Sequence, residues 1–505
     1  MYDAVLIGGH SRFLGYQKPA GMYKIATELR KNGFSVQCVD LFAMMDENDL
    51  YSILNSVITN HTSMFGINST LLKDLLGGDF FGISNNKFLT LIEQVKSINP
   101  SIKIVIGGAQ VQEYELDELT PFKDHIDFCA SGQGENSVVA IMNHITKGDD
   151  LKVKKLCGLN FVTEKDYPYD HFNQSDIIYQ PNDIIFKEES LCIEVARGCV
   201  FRCAFCYRDN AGKSFGDMTK MADVLKQELI RNYELFGTTN YYIVDDTIND
   251  SMQKVEYLHK VLTSLPFKIN FTSFGRLDLI WKNPEMASIL KEMGMKGVIF
   301  GIETLHQEAG RLMGKGLGEE RIKKALQICK HAWKNDVNIT ANFIAGLPKE
   351  PIDSILRTID WLLSPDCPID SASIYPLFVS SKRNKSRLDK DNGKKFNCHF
   401  SNVNDSEWKH DHLSFSGAVA LRKHFENKAL KKWPNYFLFN AFSLPRYTNI
   451  GITMNESLDA AIKNKSNAHN TPSNLRGVMN YRNDIWRRTI NKRKEYINAL
   501  QNFPH

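Results

Sequence analysis

Apolar residues in the first 150 positions fall into short runs that alternate with stretches of helical spacing. Asp3–Ile7 is such a run and ends in Gly8-Gly9, and Gly21–Lys31 has helical periodicity and stops at Asn32-Gly33. Further runs are Ser35–Val39, Met64–Ile67, Ile102–Ile106 and Ile126–Ala130, separated by helical segments near Asp46–Thr59, Lys87–Ile98 and Glu135–Thr146. Alternation of this kind, with glycines after the strands, predicts an α/β fold built on a doubly wound parallel sheet. Ligands in such sheets bind beyond the carboxyl ends of the strands. Those ends carry Gly8, Gly9, Asn68, Ser69, Gly107, Gly108, Gly132 and Gly134. Glycine lets a backbone approach a large group closely, and Ser or Asn can hydrogen-bond its polar edge.

Residues 151–190 read as a linker, turn-rich around Tyr167-Pro-Tyr and Gln180-Pro-Asn-Asp. A second alternating pattern fills residues 191–380, with strands at Cys192–Ala196, Tyr241–Val244, Ile269–Phe274, Gly297–Gly301, Asn338–Ile344 and Ser371–Tyr375. Helices are expected between them at about Met218–Phe236, Ser251–Leu265, Pro284–Met293, Glu319–Asn335 and Ile352–Leu363. Six strands in parallel predict a partial (β/α)6 barrel, whose functional groups gather at the carboxyl ends of the strands. Residues 381–505, with Trp408, Trp433 and Trp486, hold enough apolar material for a small, mostly helical cap or for arms on the barrel.

Hydrophobic content of 43% with 24% charged residues over 505 positions is that of a soluble globular protein of about three domains. No stretch approaches the roughly 18 to 20 uninterrupted apolar residues of a membrane helix. The first residues enter a strand at once, so no targeting peptide and a cytoplasmic location are expected. The net charge of +4 is uneven: residues 381–505 carry 23 Lys and Arg against 10 Asp and Glu. Lys382, Arg383, Lys385 and Arg387 form one basic group there, and Arg487, Arg488, Lys492, Arg493 and Lys494 another. A basic field of this kind can attract nucleic acid or a phosphorylated substrate. No nucleic-acid motif accompanies it, and a solvated surface is the favoured reading.

Chemistry concentrates in Ala196-Arg-Gly-Cys-Val-Phe-Arg-Cys-Ala-Phe-Cys206-Tyr, which spaces Cys199, Cys203 and Cys206 as C-x3-C-x2-C. Structural zinc takes four ligands in C-x2-4-C pairs, and no second pair follows. Ten cysteines in 505 residues do not make a disulfide framework. Three thiolates on one short loop can instead grip an iron–sulfur cube and leave its fourth iron open. The other seven, Cys38, Cys129, Cys157, Cys192, Cys329, Cys367 and Cys398, are scattered and read as small buried apolar residues.

This motif, with Phe205 before the last thiol, is the signature of the radical S-adenosylmethionine (SAM) enzymes, which the chain resembles beyond the one loop. The resemblance implies a [4Fe–4S] cluster on Cys199, Cys203 and Cys206, SAM on the open iron, Phe205 along the adenine, and an electron donor of the flavodoxin or ferredoxin type. It places Asp245 and Asp246, at the second strand end, by the ammonium of SAM, although an Asp pair there is otherwise a helix cap. Ser273 and Glu303 stand where the family contacts the methionyl and ribose parts. Arg276 would pair with the methionine carboxylate or with Glu303. Asn342-Phe-Ile-Ala-Gly346-Leu-Pro-Lys-Glu350 is close to the family's Gly-Leu-Pro-Gly-Glu run, with Lys349 in place of the second glycine. Lys315, in Met313-Gly-Lys-Gly316, reads as a turn because the phosphate-loop pattern is incomplete.

Ile104-Val-Ile-Gly-Gly-Ala with Asp127-Phe-Cys-Ala-Ser-Gly-Gln-Gly-Glu135 resembles the cobalamin-binding domain that precedes many radical SAM domains. The Asp-x-His-x-x-Gly element that supplies a cobalt ligand in some cobalamin proteins is absent, and His10 with Gly15 has the wrong spacing. Together these resemblances imply a cobalamin-dependent radical SAM methyltransferase. The alternatives are a radical rearrangement, cyclisation, oxidation or epimerisation, and a non-catalytic iron–sulfur protein sensing redox state on nucleic acid. The substrate, a small molecule or a peptide, is not specified by the sequence.

Overall fold

Apolar runs of four or five residues are too short for a buried helix and suit a strand covered on both faces. In this computed structural model the N-terminal runs become β1 (Ala4–Ile7), β2 (Val36–Val39), β3 (Met64–Asn68), β4 (Lys103–Gly107) and β5 (Phe128–Ser131). Helices α1 (Ala20–Lys31), α2 (Glu47–Val57), α3 (Asn86–Ile98) and α4 (Glu135–Lys147) lie between and after them. The structure describes residues 1–9, 15–41, 47–71, 86–108, 111, 119–206, 208, 211–214, 216–379, 386–388, 393–394, 396–400, 408–466 and 472–504. His10, Lys382, Arg383 and Lys385 lie outside them.

The chain divides into two units: Met1–Cys192 with Arg231–Thr238 and Ile485–His505, and Ile193–Ile230 with Thr239–Asp484. In the first, the strand order is β2-β1-β3-β4-β5, every neighbouring pair parallel. The order reverses between β1 and β3, so the loops after these strands leave to opposite faces and open a crevice at their carboxyl ends.

Two strands that the sequence did not suggest extend this sheet, and they lie in the segment expected to be a linker. β6 (Lys154–Leu156) pairs antiparallel with β7 (Leu159–Thr163), which runs parallel to β5. Their two-residue turn places Cys157 at φ 48° and Gly158 at φ 84°, the double left-handed geometry that suits the twist of a tight hairpin. Cys157 is therefore exposed, unlike the buried residue expected.

Residues 485–505 belong with this first unit, whereas the sequence suggested one cap over 381–505. The attachment is a buried polar cluster at the end of β2. Lys18 Nζ lies 2.7 Å from Asp40 Oδ2 and 3.8 Å from Glu189 Oε1, and Tyr23 Oη donates to Asp40 at 2.9 Å. The Asp40 amide donates to Tyr496 Oη at 3.1 Å, and the Lys18 ammonium faces the Tyr496 ring at 5.1 Å.

In the second unit the strands are β8 (Leu191–Glu194), β9 (Asn240–Val244), β10 (Asn270–Gly275), β11 (Met295–Glu303), β12 (Asn338–Ala345) and β13 (Ser371–Pro376). They stand in chain order, β13-β12-β11-β10-β9-β8, and the pairs from β9 to β13 are all parallel. The intervening helices are α5 (Ala222–Phe236), α6 (Met252–Thr263), α7 (Leu277–Lys282), α8 (Met286–Glu292), α9 (Gln307–Met313), α10 (Glu319–Trp333) and α11 (Ile352–Leu362). Consecutive parallel strands with helical returns are the partial barrel expected. Beyond it come a two-stranded pair, β14 (His399–Phe400) and β15 (Trp408–Lys409), and helices α12 (Phe415–Lys432), α13 (Ser443–Thr448), α14 (Met454–Ser466) and α15 (Pro472–Gln501). No helix among the described residues is long and apolar enough to cross a membrane.

Burial raises Glu189 from 4.5 to about 7, opposed by the Lys18 charge. Between those values the folded chain holds a proton that the unfolded chain releases, so stability falls as pH rises through that window. Glu350, also raised to about 7 by burial, acts in the same sense. Glu189→Gln is expected to lessen the loss of thermal stability between pH 5 and 7 without abolishing it, as measured by melting scans across that range.

Candidate active site

The loop after β8 is fixed before it reaches the cysteines. Arg197 folds back on Glu194 through two hydrogen bonds of 2.9 Å. The Cys199 carbonyl then accepts from the Gly212 amide at 2.6 Å, and the Ala204 amide donates to the Met313 carbonyl at 3.0 Å. These bonds hold Cys199, Cys203 and Cys206 half-buried on one loop, with the Cys206 amide on the Cys203 carbonyl at 3.1 Å. Burial pushes the Cys206 thiol up, a bias that iron coordination would reverse by deprotonating it. Among the described residues no three His, Cys, Asp or Glu side chains gather closely enough for a single metal ion. A cube does not require such closeness, because each sulfur binds a separate iron, so the donor set fits a cluster better than a zinc ion.

Arg276, at the end of β10, turns toward this loop. Its Nη1 donates to Cys203 Sγ at 3.4 Å, while Nε and Nη2 grip Asp278 at 2.9 and 2.7 Å. The sequence reading paired it with Glu303 or with a methionine carboxylate. The structure gives its donors to Asp278, Gly314 and Cys203 instead.

The other strand ends separate the expected site residues into those free to bind and those already engaged. Asp245 is buried against Lys254 Nζ at 2.7 Å and also accepts the Thr247 amide at 2.9 Å. It is thus tied to the turn before α6 and to Lys254 on that helix. Asp246 remains partly exposed, 3.5 Å from Arg208 Nε. Ser273 is fully buried and donates to the Ile243 carbonyl at 3.1 Å, which ties it between two strands. Phe205 is half-buried beside Cys206, and Asn342 is half-buried on β12 in register with Gly301.

Glu303 ends β11 at a register shift and at φ 69°. A bulge at a strand end re-aims the side chain, and a positive φ costs a β-carbon residue energy that surrounding contacts must cover. Lys315 supplies one: its Nζ donates to the Gly301 carbonyl at 2.8 Å and stands 3.7 Å from Glu303 Oε1. A Cβ on Gly301 would collide with the Glu303 carboxylate, so glycine makes the pocket that the carboxylate fills. Burial raises the Glu303 carboxyl, offset in part by Lys315. Lys315 was read as a turn; its role rests on a fold-level contact that carries no local sequence signal.

Gly346, at φ 99°, permits a close approach, but what approaches is Trp408, whose ring a Cβ would strike. Trp408 donates Nε1–H to the Leu377 carbonyl at 2.8 Å and stacks on His410, whose Nε2 meets the Gly346 carbonyl at 3.0 Å. Lys349 stands at φ 72°, a left-handed backbone that suits glycine better than a residue with a β-carbon.

The first unit's strand ends divide in the same way. Asn68, Gly107, Gly108, Gly132 and Gly134 are half-exposed along one edge, whereas Gly8, Gly9 and Ser69 are buried. Gly108, at φ 126°, lies against Ser69, and the amide after Gly132 is taken by Glu164 Oε2 at 2.6 Å. The half-exposed group still fits the amide-rich edge of a corrin.

The strand order of the second unit and the cysteine loop after its first strand agree with the comparison by sequence: residues 193–362 match the Radical SAM superfamily. The chain is 25% identical over 286 residues to an uncharacterized methyltransferase of Pyrococcus horikoshii, covering 54% of this chain and 60% of that protein. It spans about half to three-fifths of the first curated relatives it matches. Its fold is similar to that of the radical SAM methyltransferase TsrM from Kitasatospora setae, solved with tryptophan substrate and a SAM analog. That likeness has a TM-score of 0.60 at 14% identity and covers 78% of this chain and 76% of that one. The cobalamin-dependent SAM radical enzyme OxsB, solved with aqua-cobalamin, gives 0.56 at 15% identity over 76% and 55%.

Removing the Cβ at position 349 relieves a left-handed backbone, against some loss of unfolded-state restriction. Lys349→Gly is expected to raise stability by up to about 1 kcal/mol, and Lys349→Ala to give no such gain, in denaturant titrations.

Proposed function

We propose that the chain is a radical SAM enzyme that transfers a methyl group to an unactivated carbon with the help of cobalamin. One observation carries this reading: a flavodoxin-like parallel sheet is followed by a cysteine-bearing barrel, an order and fold similar over most of the chain to TsrM and OxsB. A cluster with bound SAM would supply a 5′-deoxyadenosyl radical on one-electron reduction, and cobalamin would supply the methyl-transfer chemistry.

The chain's own residues would do the positioning. Cys199, Cys203 and Cys206 would hold the cluster. Phe205 offers an apolar face beside the last of them. Asp246 is the carboxylate left to meet a cationic amino group, since Asp245 serves Lys254. Glu303, held by Lys315 and shaped by Gly301, presents a carboxylate that can accept from paired hydroxyls. Asn68, Gly107, Gly108, Gly132 and Gly134 would line the corrin. An electron donor of the flavodoxin or ferredoxin type, a cytoplasmic setting and a small-molecule or peptide substrate complete the proposal.

Radical chemistry without methyl transfer is the second reading. The burial of Gly8, Gly9 and Ser69, with Glu164 on the amide after Gly132, favours it by narrowing the edge open to a corrin.

Anaerobically reconstituted protein should show iron–sulfur absorption, bind cobalamin, and form 5′-deoxyadenosine with dithionite. Cys203→Ala should lose iron and fall to background. Label from methyl-labelled SAM should appear in product. Cluster without corrin uptake and product without label would decide for the second reading, and a wild type without iron would refute both.

A further inference from the structure

Arg276 is held more completely than its place at a strand end requires. Its amide donates to Asn249 Oδ1 at 2.8 Å and its carbonyl accepts from Asn249 Nδ2 at 2.9 Å, so one fully buried side chain clamps both backbone groups. The guanidinium is then fixed in its plane by the two bonds to Asp278 and by a bond from Nη2 to the Gly314 carbonyl at 3.3 Å. Its face lies on the Phe201 ring, 3.8 Å from the centroid, a cation–π contact that removes the remaining freedom. What this leaves is Nη1, aimed at Cys203 Sγ.

The three cysteine sulfurs are not treated alike. Cys199 Sγ faces the neutral Thr247 hydroxyl at 3.3 Å, and that hydroxyl already donates to the Asp246 carbonyl at 2.6 Å. Cys206 has the backbone amide of Arg208, whose own side chain is exposed. Among the described residues, only Cys203 takes a hydrogen bond from a buried charged side chain. The partner carboxylate holds Nε and Nη2, on the side of the guanidinium opposite Nη1, and is the more exposed of the two at 31% against 5%, so it offsets only part of the charge at the sulfur.

We propose that Arg276 is a positioning residue that holds a charged N–H on the Cys203 sulfur and raises the reduction potential of the iron–sulfur group bound there. Adding an electron makes the cluster and its thiolates more negative, and a fixed cation with a hydrogen bond to sulfur stabilises that form more than the oxidised one. The electron comes from an external reductant, and Arg276 is neither consumed nor deprotonated. Lysine cannot replace it, because a single ammonium cannot hold Asp278 in a fork and keep a second donor on the sulfur. This inference rests on Cys199, Cys203 and Cys206 being cluster ligands.

The test is a dye-mediated redox titration of the reconstituted full chain, followed by electron paramagnetic resonance. The midpoint should be highest in the wild type, more negative in Arg276→Lys and most negative in Arg276→Gln. An unchanged midpoint in Arg276→Gln with wild-type iron content overturns the inference. A second measurement needs no variant: with nitrogen-15 arginine, the reduced wild-type cluster should show magnetic coupling to a guanidinium nitrogen, and its absence also overturns the inference. A wild type that holds no iron fails the cluster reading itself, an outcome distinct from either.

Discussion

A parallel strand must be followed by a return segment before the next can begin, so all strands of such a sheet end at the same edge. In the second unit this constraint gathers groups far apart in sequence. Cys203 follows β8, Thr247 follows β9, Arg276 follows β10, Glu303 ends β11 and Gly346 follows β12. The bond from Arg276 to Cys203 spans 73 residues and exists only because both lie at one rim. Chain order within the sheet also makes each group's neighbours predictable, since β10 lies between β9 and β11. Asn249, from the turn after β9, is therefore placed to hold the backbone of Arg276.

Charges at this rim are arranged so that most are spent on one another. Lys254 answers Asp245 and Asp250, Arg276 answers Asp278, and Lys315 stands by Glu303. In the fully buried Lys254 group, removing one member leaves the others without water or partner, which costs about 3–5 kcal/mol. These pairs act less as added stability than as rigid spacers. They fix which carboxylates face inward and which stay free. Asp246, partly exposed and 3.5 Å from the exposed Arg208, differs in this respect from Asp245 next to it.

Much of the fold was legible because burial on both faces writes parallel strands as apolar runs with turn glycines after them. The cysteine loop was legible because three thiols at short spacing have few other uses. Partner choice was not. An Asp-Asp pair reads the same whether its first member binds a ligand, caps a helix or pairs within the chain; Ser251 caps α6, and Asp245 meets Lys254 only once α6 has folded back. Lys315 and Trp408 were missed because their contacts, with Gly301 and Gly346, join segments that no local pattern links. The hairpin of β6 and β7 was missed because Cys157-Gly158 is an uncommon pair for a turn usually marked by Asn-Gly or Asp-Gly.

Glycine at a strand end has more than one physical meaning, and the rims of both units show it. Gly301 leaves room for the carboxylate of Glu303 and Gly346 for the ring of Trp408, while Gly132, at φ 84°, leaves room for Glu164. In each case the space is filled by this chain. The half-exposed Gly107 differs, since among the described residues a Cβ there would meet Ala130 at an ordinary contact distance of 3.5 Å. Among the described residues, glycine at 107 is thus required neither by its backbone angle nor by a neighbouring side chain. A strand-end glycine therefore bears on ligand binding only after the chain's own side chains have been placed around it.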